Sequence, residues 1–415
     1  MRVLWFSNCV LGNSTSKGSG SWLYAMSKLI CNSVELVNAT FSNVESVTFN
    51  DYHSFSEVLI PRSKMRGGIP DEKTIKSIQE TIERLSPDII HIWGLENCWS
   101  LLYAKGFIKG RVLIEIQGLM GPCHDSFWGG LDPKHVRKES FCLRDVVYPE
   151  TRLSRVKEQF KRRSEQANFV LSRCAAISTQ SRWVREQVQF LISSNCKIYN
   201  TLRPIRQNFW DAKPWEEHDG RTCRIFTSMS YYHPFKGVHV LILALPLIKK
   251  RYEKVILEIA GVEERDLVWY RQFSYIKYLQ KLAQKLNVSD SLVFVGRLNA
   301  SQIIEHLRLC DVFVNPSFVE SFSASTAEAL SLGVPSVVSF AGAMPDFSEN
   351  KQVTLFYSPM DYVSCAAKII ELRDNKNKRE ELCNNSKKEI KEYCSASNVF
   401  KAQMAIYNDL LMTDL

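Results

Sequence analysis

The sequence predicts an α/β fold of two doubly wound, Rossmann-like domains, and three observations carry that prediction. At 415 residues the chain exceeds what one hydrophobic core usually serves, so two domains are the default. Short β-branched runs alternate with helical patterns throughout, as parallel strands joined by crossover helices require. A polar stretch at 204–221, where RPIRQNFW gives way to KPWEEHDGR, separates two series of such runs. The expected division is a first domain over 1–205, a linker over 206–221, a second domain over 222–395 and a closing helix over 396–415.

Taken in order, the opening MRVLWFSNCVLG has one arginine and a short apolar run, which reads as a first strand and its loop, not a secretory signal. A helix through Ile30 follows. Further strands of the first series are expected near 34–37, 47–49, 89–92, 112–116, 175–178 and 197–199. The second series falls near 225–227, 255–260, 292–295, 312–314 and 336–339. In such sheets ligands bind beyond the carboxyl ends of the strands. Past Asn384 the chain becomes a charged helix, and then Phe400, Met404, Tyr407 and Leu411 fall on one helical face.

Composition removes several function classes. Hydrophobic residues make up 45% and charged residues 23%, ordinary values for a globular protein. No run approaches the length of a membrane-spanning helix. The twelve cysteines show no CxxC pair or metal-type spacing, which points to reduced thiols in a cytoplasmic protein. The net charge of +9 is uneven: residues 134–163 hold ten Lys/Arg against four Asp/Glu. Such a segment is either a solvated helical face or a patch for an anionic membrane surface. No groove-reading or RNA-binding motif accompanies it, so nucleic acid is not an expected partner.

The most informative stretch is 315–349, NPSFVESFSASTAEALSLGVPSVVSFAGAMPDFSE. It reads as strand end, loop and helix, with Glu320 and Glu328 on either side of Ser321, Ser323, Ala324, Ser325 and Thr326. Amides at a helix start favour an anion. Ionised carboxylates accept strong hydrogen bonds from hydroxyl-rich ligands. The ligand suggested is phosphate joined to sugar.

Pro316, Ser317, Glu320, Phe322, Glu328, Ala329, Gly333 and Pro335 resemble, in order, the donor-site signature of retaining glycosyltransferases of family 4. The resemblance implies the two-domain GT-B architecture, with the domains facing across a cleft and the final helix crossing back to the first. It also implies transfer of a hexose-type sugar from a nucleoside-diphosphate sugar, a UDP-sugar being favoured, to an acceptor hydroxyl with retained configuration. The acceptor implied is a glycan or lipid-linked sugar in bacterial capsule, O-antigen or exopolysaccharide assembly. No cofactor and no obligatory metal are expected.

The resemblance extends to other segments. Ser230-Tyr-Tyr-His-Pro-Phe-Lys236-Gly237 stands where the family has a turn whose arginine and lysine hold the diphosphate. Lys236 is kept and Tyr231 replaces the arginine, so the anion would lean on Lys236 and the helix amides. Gly261, and Arg297 in FVGRL, resemble the strand ends that face the nucleotide, and Arg297 is a candidate to offset the missing arginine. Gly18 and Gly20 resemble the glycine-rich loop that meets the donor. His91, Gln117 and His124 are candidates for sugar or acceptor contacts, Gln117 standing where the family often has histidine. Lys236 and Glu320 are assigned the catalytic roles, and Glu328 the ribose. A glycoside phosphorylase of the same architecture and a non-catalytic nucleotide-sugar binder are the rival readings.

Overall fold

The computed structural model describes residues 1–12, 21–218 and 220–413. They form two units: Met1–Met120 with Arg162–Arg206 and Tyr393–Leu415, and Gly121–Lys161 with Gln207–Glu392.

The first unit is built on eight strands: β1 (Arg2–Phe6), β2 (Glu35–Ser42), β3 (Thr48–Tyr52), β4 (Phe55–Pro61), β5 (Ile89–Trp93), β6 (Val112–Glu115), β7 (Ala176–Thr179) and β8 (Lys197–Asn200). Their order is β3-β4-β2-β1-β5-β6-β7-β8, parallel except for the β3–β4 hairpin. All five residues of β5 are buried, as expected of a strand covered on both faces.

β4 does not appear in the sequence reading. Its FSEVLIP pattern places Glu57 among apolar residues, which disguises a strand. The structure shows why the acid is tolerated: its carboxylate accepts from the Leu11 amide at 2.6 Å and from Asn38 Nδ2 at 2.9 Å. A buried carboxyl group so satisfied need not exclude a strand.

The helix Ala396–Met412 packs on this first sheet. Val399, Ile406, Tyr407 and Leu410 are buried against Val3, Trp5 and Trp93, while Phe400, Met404 and Leu411 are partly buried at the edges. The buried face is therefore centred one position away from the one expected, with Tyr407 common to both. Tyr407 Oη accepts from Trp5 Nε1 at 3.0 Å and lies 2.8 Å from His91 Nδ1.

The second unit has six parallel strands: β9 (Thr222–Ser228), β10 (Lys254–Ala260), β11 (Leu292–Gly296), β12 (Val312–Asn315), β13 (Ser336–Ser339) and β14 (Leu355–Tyr357). Their order is β11-β10-β9-β12-β13-β14. β14 has three residues, too few to show a period in the sequence.

Residues 121–161 cluster with this unit, although the sequence boundary at 205 had put them in the first. Their partners explain it. His239 Nε2 is 3.0 Å from the Gly129 carbonyl, and Ser274 Oγ is 2.8 Å from both Asp145 oxygens. Phe127 meets the Phe235 ring. These contacts join residues more than a hundred positions apart, beyond any local pattern. The expected linker is also packed: Trp215 Nε1 donates to the Cys310 carbonyl at 2.8 Å.

Burial sets an acid response that differs between the units. In the second, desolvation holds His233 and His239 down at about 4. An unfolded histidine titrates near 6.5, so the unfolded chain binds more protons between about 6.5 and 4, and stability falls as pH drops through that window. In the first, His91 is pushed down to about 3, but burial raises Glu115 to about 7. Glu115 acts oppositely, because its folded form gains the proton first as pH falls. As pH falls from about 6 to about 4.5 the second unit should lose stability, whereas in the first the raised carboxyls of Glu115 and Glu96 oppose the loss from His91. Hydrogen exchange resolved by segment measures both, and equal loss in the two would contradict this reading.

Candidate functional site

The order of the second sheet reverses between β9 and β12, which pair directly through Ile225 with Val312 and Phe226 with Phe313. Loops leaving two strands at such a reversal open a crevice at their carboxyl ends. Here those loops are 229–237 and 316–323, and they bring Lys236 and Glu320 together. Lys236 Nζ lies 2.7 Å from Glu320 Oε1, with the side chains 16% and 14% exposed.

Two glycines make that approach possible. Gly237 sits at φ +72°, and a Cβ there would lie 1.9 Å from the Pro316 carbonyl oxygen. No residue with a side chain could let the loops come so close. The Phe318 amide then donates to the Phe235 carbonyl at 2.7 Å. On the other flank, Gly342 at φ +56° would put a Cβ 2.3 Å from the Glu320 carbonyl oxygen, to which the Ala343 amide donates at 2.8 Å. The loop leading to Glu320 is thus held at Pro316 and Phe318 on one flank, and the main chain of Glu320 itself by Ala343 on the other.

The helix Ala324–Ser331 begins beside this pair. Ser323 is its N-cap and accepts from the Thr326 amide at 3.3 Å. Asn315, the last residue of β12, reaches Ser323 Oγ at 2.8 Å and Thr326 Oγ1 at 3.0 Å, and receives the Ser317 amide at 3.1 Å. That network fixes where the first-turn amides of Ala324 and Ser325 sit, and a helix start so oriented attracts an anion. Glu328 lies farther along the helix and is buried.

At the ends of β10 and β11, the Gly261 amide donates to the Gly296 carbonyl at 2.7 Å. Gly261, at φ +104°, has no room for a Cβ, which would meet the Met229 carbonyl oxygen at 2.3 Å. Tyr232 Oη reaches the Gly261 carbonyl at 2.9 Å and Asp266 Oδ2 at 2.6 Å. Burial, and then the Asp266 carboxylate, push Tyr232 up to about 12. Arg297 is exposed, with Nε 3.2 Å from Glu263 Oε1, while Arg265 takes the other oxygen at 2.6 Å.

Tyr231 is 62% exposed and lies parallel to the His233 ring. Sequence reasoning passed over His233. It is packed among Phe127, Phe160 and Phe235, and its Nδ1 is buried with no hydrogen-bond partner among the described residues. Its place three residues before Lys236 was the available signal. Asn315 was also missed as an organiser, although it precedes the Pro-Ser of the signature.

Lys236, Glu320, Tyr231, Gly261, Arg297, Ser323, Ala324, Ser325, Thr326 and Glu328 all belong to the second unit. Gly18 and Gly20 lie outside the described residues. Gln117 is in the first unit, half-buried just after β6. His124 is in the second, with Nδ1 2.9 Å from Asp125 Oδ1. His91 lies in the core of the first unit: it is fully buried, stacked on Trp93, with Nδ1 2.8 Å from Tyr407 Oη.

The family model described as glycosyl transferases group 1 matches residues 213–389. An uncharacterized glycosyltransferase, MJ1607 of Methanocaldococcus jannaschii, is 28% identical over 250 residues, which are 56% of this chain and 59% of that protein. The chain therefore spans less than two thirds of that relative's length. Among solved structures, sucrose-phosphate synthase from Thermosynechococcus elongatus superposes with a TM-score of 0.74 at 13% identity, covering 99% of each chain. Anabaena Alr3699/HepE in complex with UDP-glucose gives a TM-score of 0.65 at 13% identity, again over 99% of each. At these identities the likeness establishes the fold, which is GT-B.

Proposed function

The second unit belongs to the glycosyl transferases group 1 family, and on that premise we propose that the protein is a retaining glycosyltransferase using a nucleoside-diphosphate sugar. The observation that carries the reading is the Lys236–Glu320 pair at the sheet reversal, beside the helix start capped by Ser323. As the bond from sugar to phosphate breaks, negative charge grows on the departing diphosphate. Lys236 and the amides of Ala324 and Ser325 would stabilise it, the kind of preorganised electrostatic term that dominates many enzymes. Positive charge grows on the sugar, where Glu320 would hold hydroxyls and orient the ring. The leaving phosphate oxygen would take the acceptor's proton on the same face. Glu328 would grip the ribose.

A UDP-hexose is the favoured donor, supported by the UDP-glucose in the Anabaena complex. The acceptor class would be a glycan or lipid-linked sugar hydroxyl in surface polysaccharide assembly. A second reading, a nucleotide-sugar binder without transfer, is favoured by one observation: an exposed neutral phenol, Tyr231, stands at the place of a diphosphate-binding arginine.

Thermal-shift measurements against UDP-, GDP- and ADP-sugars test the proposal. A cognate donor at 100 times its dissociation constant stabilises by about 2.7 kcal/mol, readily visible as a raised midpoint. No stabilisation by any member of the panel would sink the reading. Binding without transfer or hydrolysis would support the second one, and turnover that depends on free phosphate would indicate a phosphorylase.

A further inference from the structure

The helix Leu143–Val147 is inside out. Its one buried residue is Asp145, whose carboxylate receives Ser274 Oγ and, at 3.2 Å, the Cys142 amide. Cys142 Sγ in turn reaches the Gln272 carbonyl at 3.1 Å. The apolar side chains face outward: Leu143 is 43% exposed, Val146 53% and Val147 58%, with Phe141 and Tyr148 beside them at 57% and 50%. A helix at home in water turns its apolar stripe inward. This one is anchored by polar contacts and offers its apolar side to something else.

A second segment of the same unit continues the surface. Trp269 is 72% exposed and Tyr270 51%, their rings edge to face at 5.8 Å. Seven of the eighteen large exposed apolar side chains among the described residues lie in 141–148 and 269–270. Val147, Tyr148 and Tyr270 line one hollow of about 530 Å³ together with Arg144, Arg265, Arg271 and Arg297, against a single carboxylate, Asp266, which accepts from Tyr232 Oη at 2.6 Å. The Arg144 guanidinium lies 3.9 Å from the centre of the Phe273 ring, and its Nε is buried with no hydrogen-bond partner among the described residues. Arg137, Lys138 and Arg155 are exposed in the same stretch of chain.

Aromatic and aliphatic side chains standing among arginines are the signature of the water–bilayer interface. A protein partner would need matching carboxylates, whereas a lipid surface supplies negative charge and apolar depth at once. We propose that residues 141–148 and 269–271 dock the second unit on an anionic bilayer. Trp269, Val146 and Val147 enter the headgroup region, and the arginine-lined hollow takes a lipid phosphate through forked hydrogen bonds. The surface borders the candidate site through Tyr232 and Arg297, which line the same hollow. The docking does not depend on the transferase reading, because its readout is vesicle binding.

Sedimentation with phosphatidylcholine vesicles, alone or with about 30% phosphatidylglycerol, provides the test. The full chain should bind the anionic vesicles, weaken as salt rises from about 50 to about 500 mM, and bind neutral ones far less. The variant Val146→Ser/Val147→Ser/Trp269→Ser should lose about tenfold or more of the anionic binding. In the wild type, lipids brominated near the headgroup should quench tryptophan fluorescence, and Trp269→Phe should remove most of that quenching. This second readout stands even if the triple variant fails to fold. Equal binding to neutral vesicles, no binding to anionic ones, or unchanged quenching in Trp269→Phe would each overturn the proposal. So would a dimer in light scattering that the triple variant converts to monomer without any vesicle binding, since the surface would then belong to a second copy.

Discussion

Lys236→Ala should lower turnover by about 100-fold or more at saturating nucleotide sugar, the loss typical of removing one preorganised donor to a developing anion. The expectation rests on the turn. Tyr231 brings no positive charge to the place where a guanidinium would share the diphosphate, and Arg297 is engaged with Glu263. The structure adds a second consequence. Lys236 pairs with Glu320, whose side chain is only 14% exposed. Removing the lysine leaves that carboxylate uncompensated, at a stability cost of about 1–3 kcal/mol. The two effects separate in a double-mutant cycle. If lysine and glutamate act as one unit, Lys236→Ala combined with Glu320→Gln should lose little more activity than the worse single variant, and regain part of the lost stability. Turnover within a few fold of wild type in Lys236→Ala, at saturating donor and with the fold intact, would show that the lysine only holds the loop.

The candidate site was legible in sequence because its chemistry is local. From Asn315 to Pro335 one strand end, one loop and one helix carry the spacing, and the structure keeps that stretch as β12, a loop and the helix Ala324–Ser331. What the sequence could not display is how the turn at Lys236 meets it. That contact depends on Gly237 lying against the Pro316 carbonyl, a meeting of backbones with no side-chain pattern to announce it. His91 shows the converse failure. From sequence His91 reads as lying at a strand end that faces the cleft, yet it is the middle residue of β5, and its partner Tyr407 is 316 positions away on the last helix. Residues 121–161 were assigned by continuity along the chain. Their allegiance to the second unit comes instead from single long-range contacts, such as Gly129 with His239 and Asp145 with Ser274. The inverted helix Leu143–Val147 was hidden for the same reason, since periodicity shows that a helix has an apolar side and not which way it faces.

The two glutamates should fail in different ways. Glu328 is buried on the helix that follows the crevice and is assigned to the ribose, a part of the donor that does not react. Glu328→Gln keeps the shape and removes the charge. It should therefore raise KM by about 10- to 100-fold, the worth of a hydrogen bond to a charged group, with kcat nearly unchanged. Glu320 stands in the crevice itself, its main chain fixed by Ala343 and its carboxylate beside Lys236. Its assigned partner is the sugar ring, which gains positive charge as the bond to phosphate breaks. Only interactions that strengthen in the transition state speed the step. Glu320→Gln, which can still contact Lys236 through its amide oxygen, should thus lower kcat by about 100-fold even at saturating donor. Steady-state kinetics on both variants, with thermal midpoints recorded alongside, decides the matter. If both lose stability equally and keep their activity per folded molecule, the two carboxylates are structural and the site lies elsewhere.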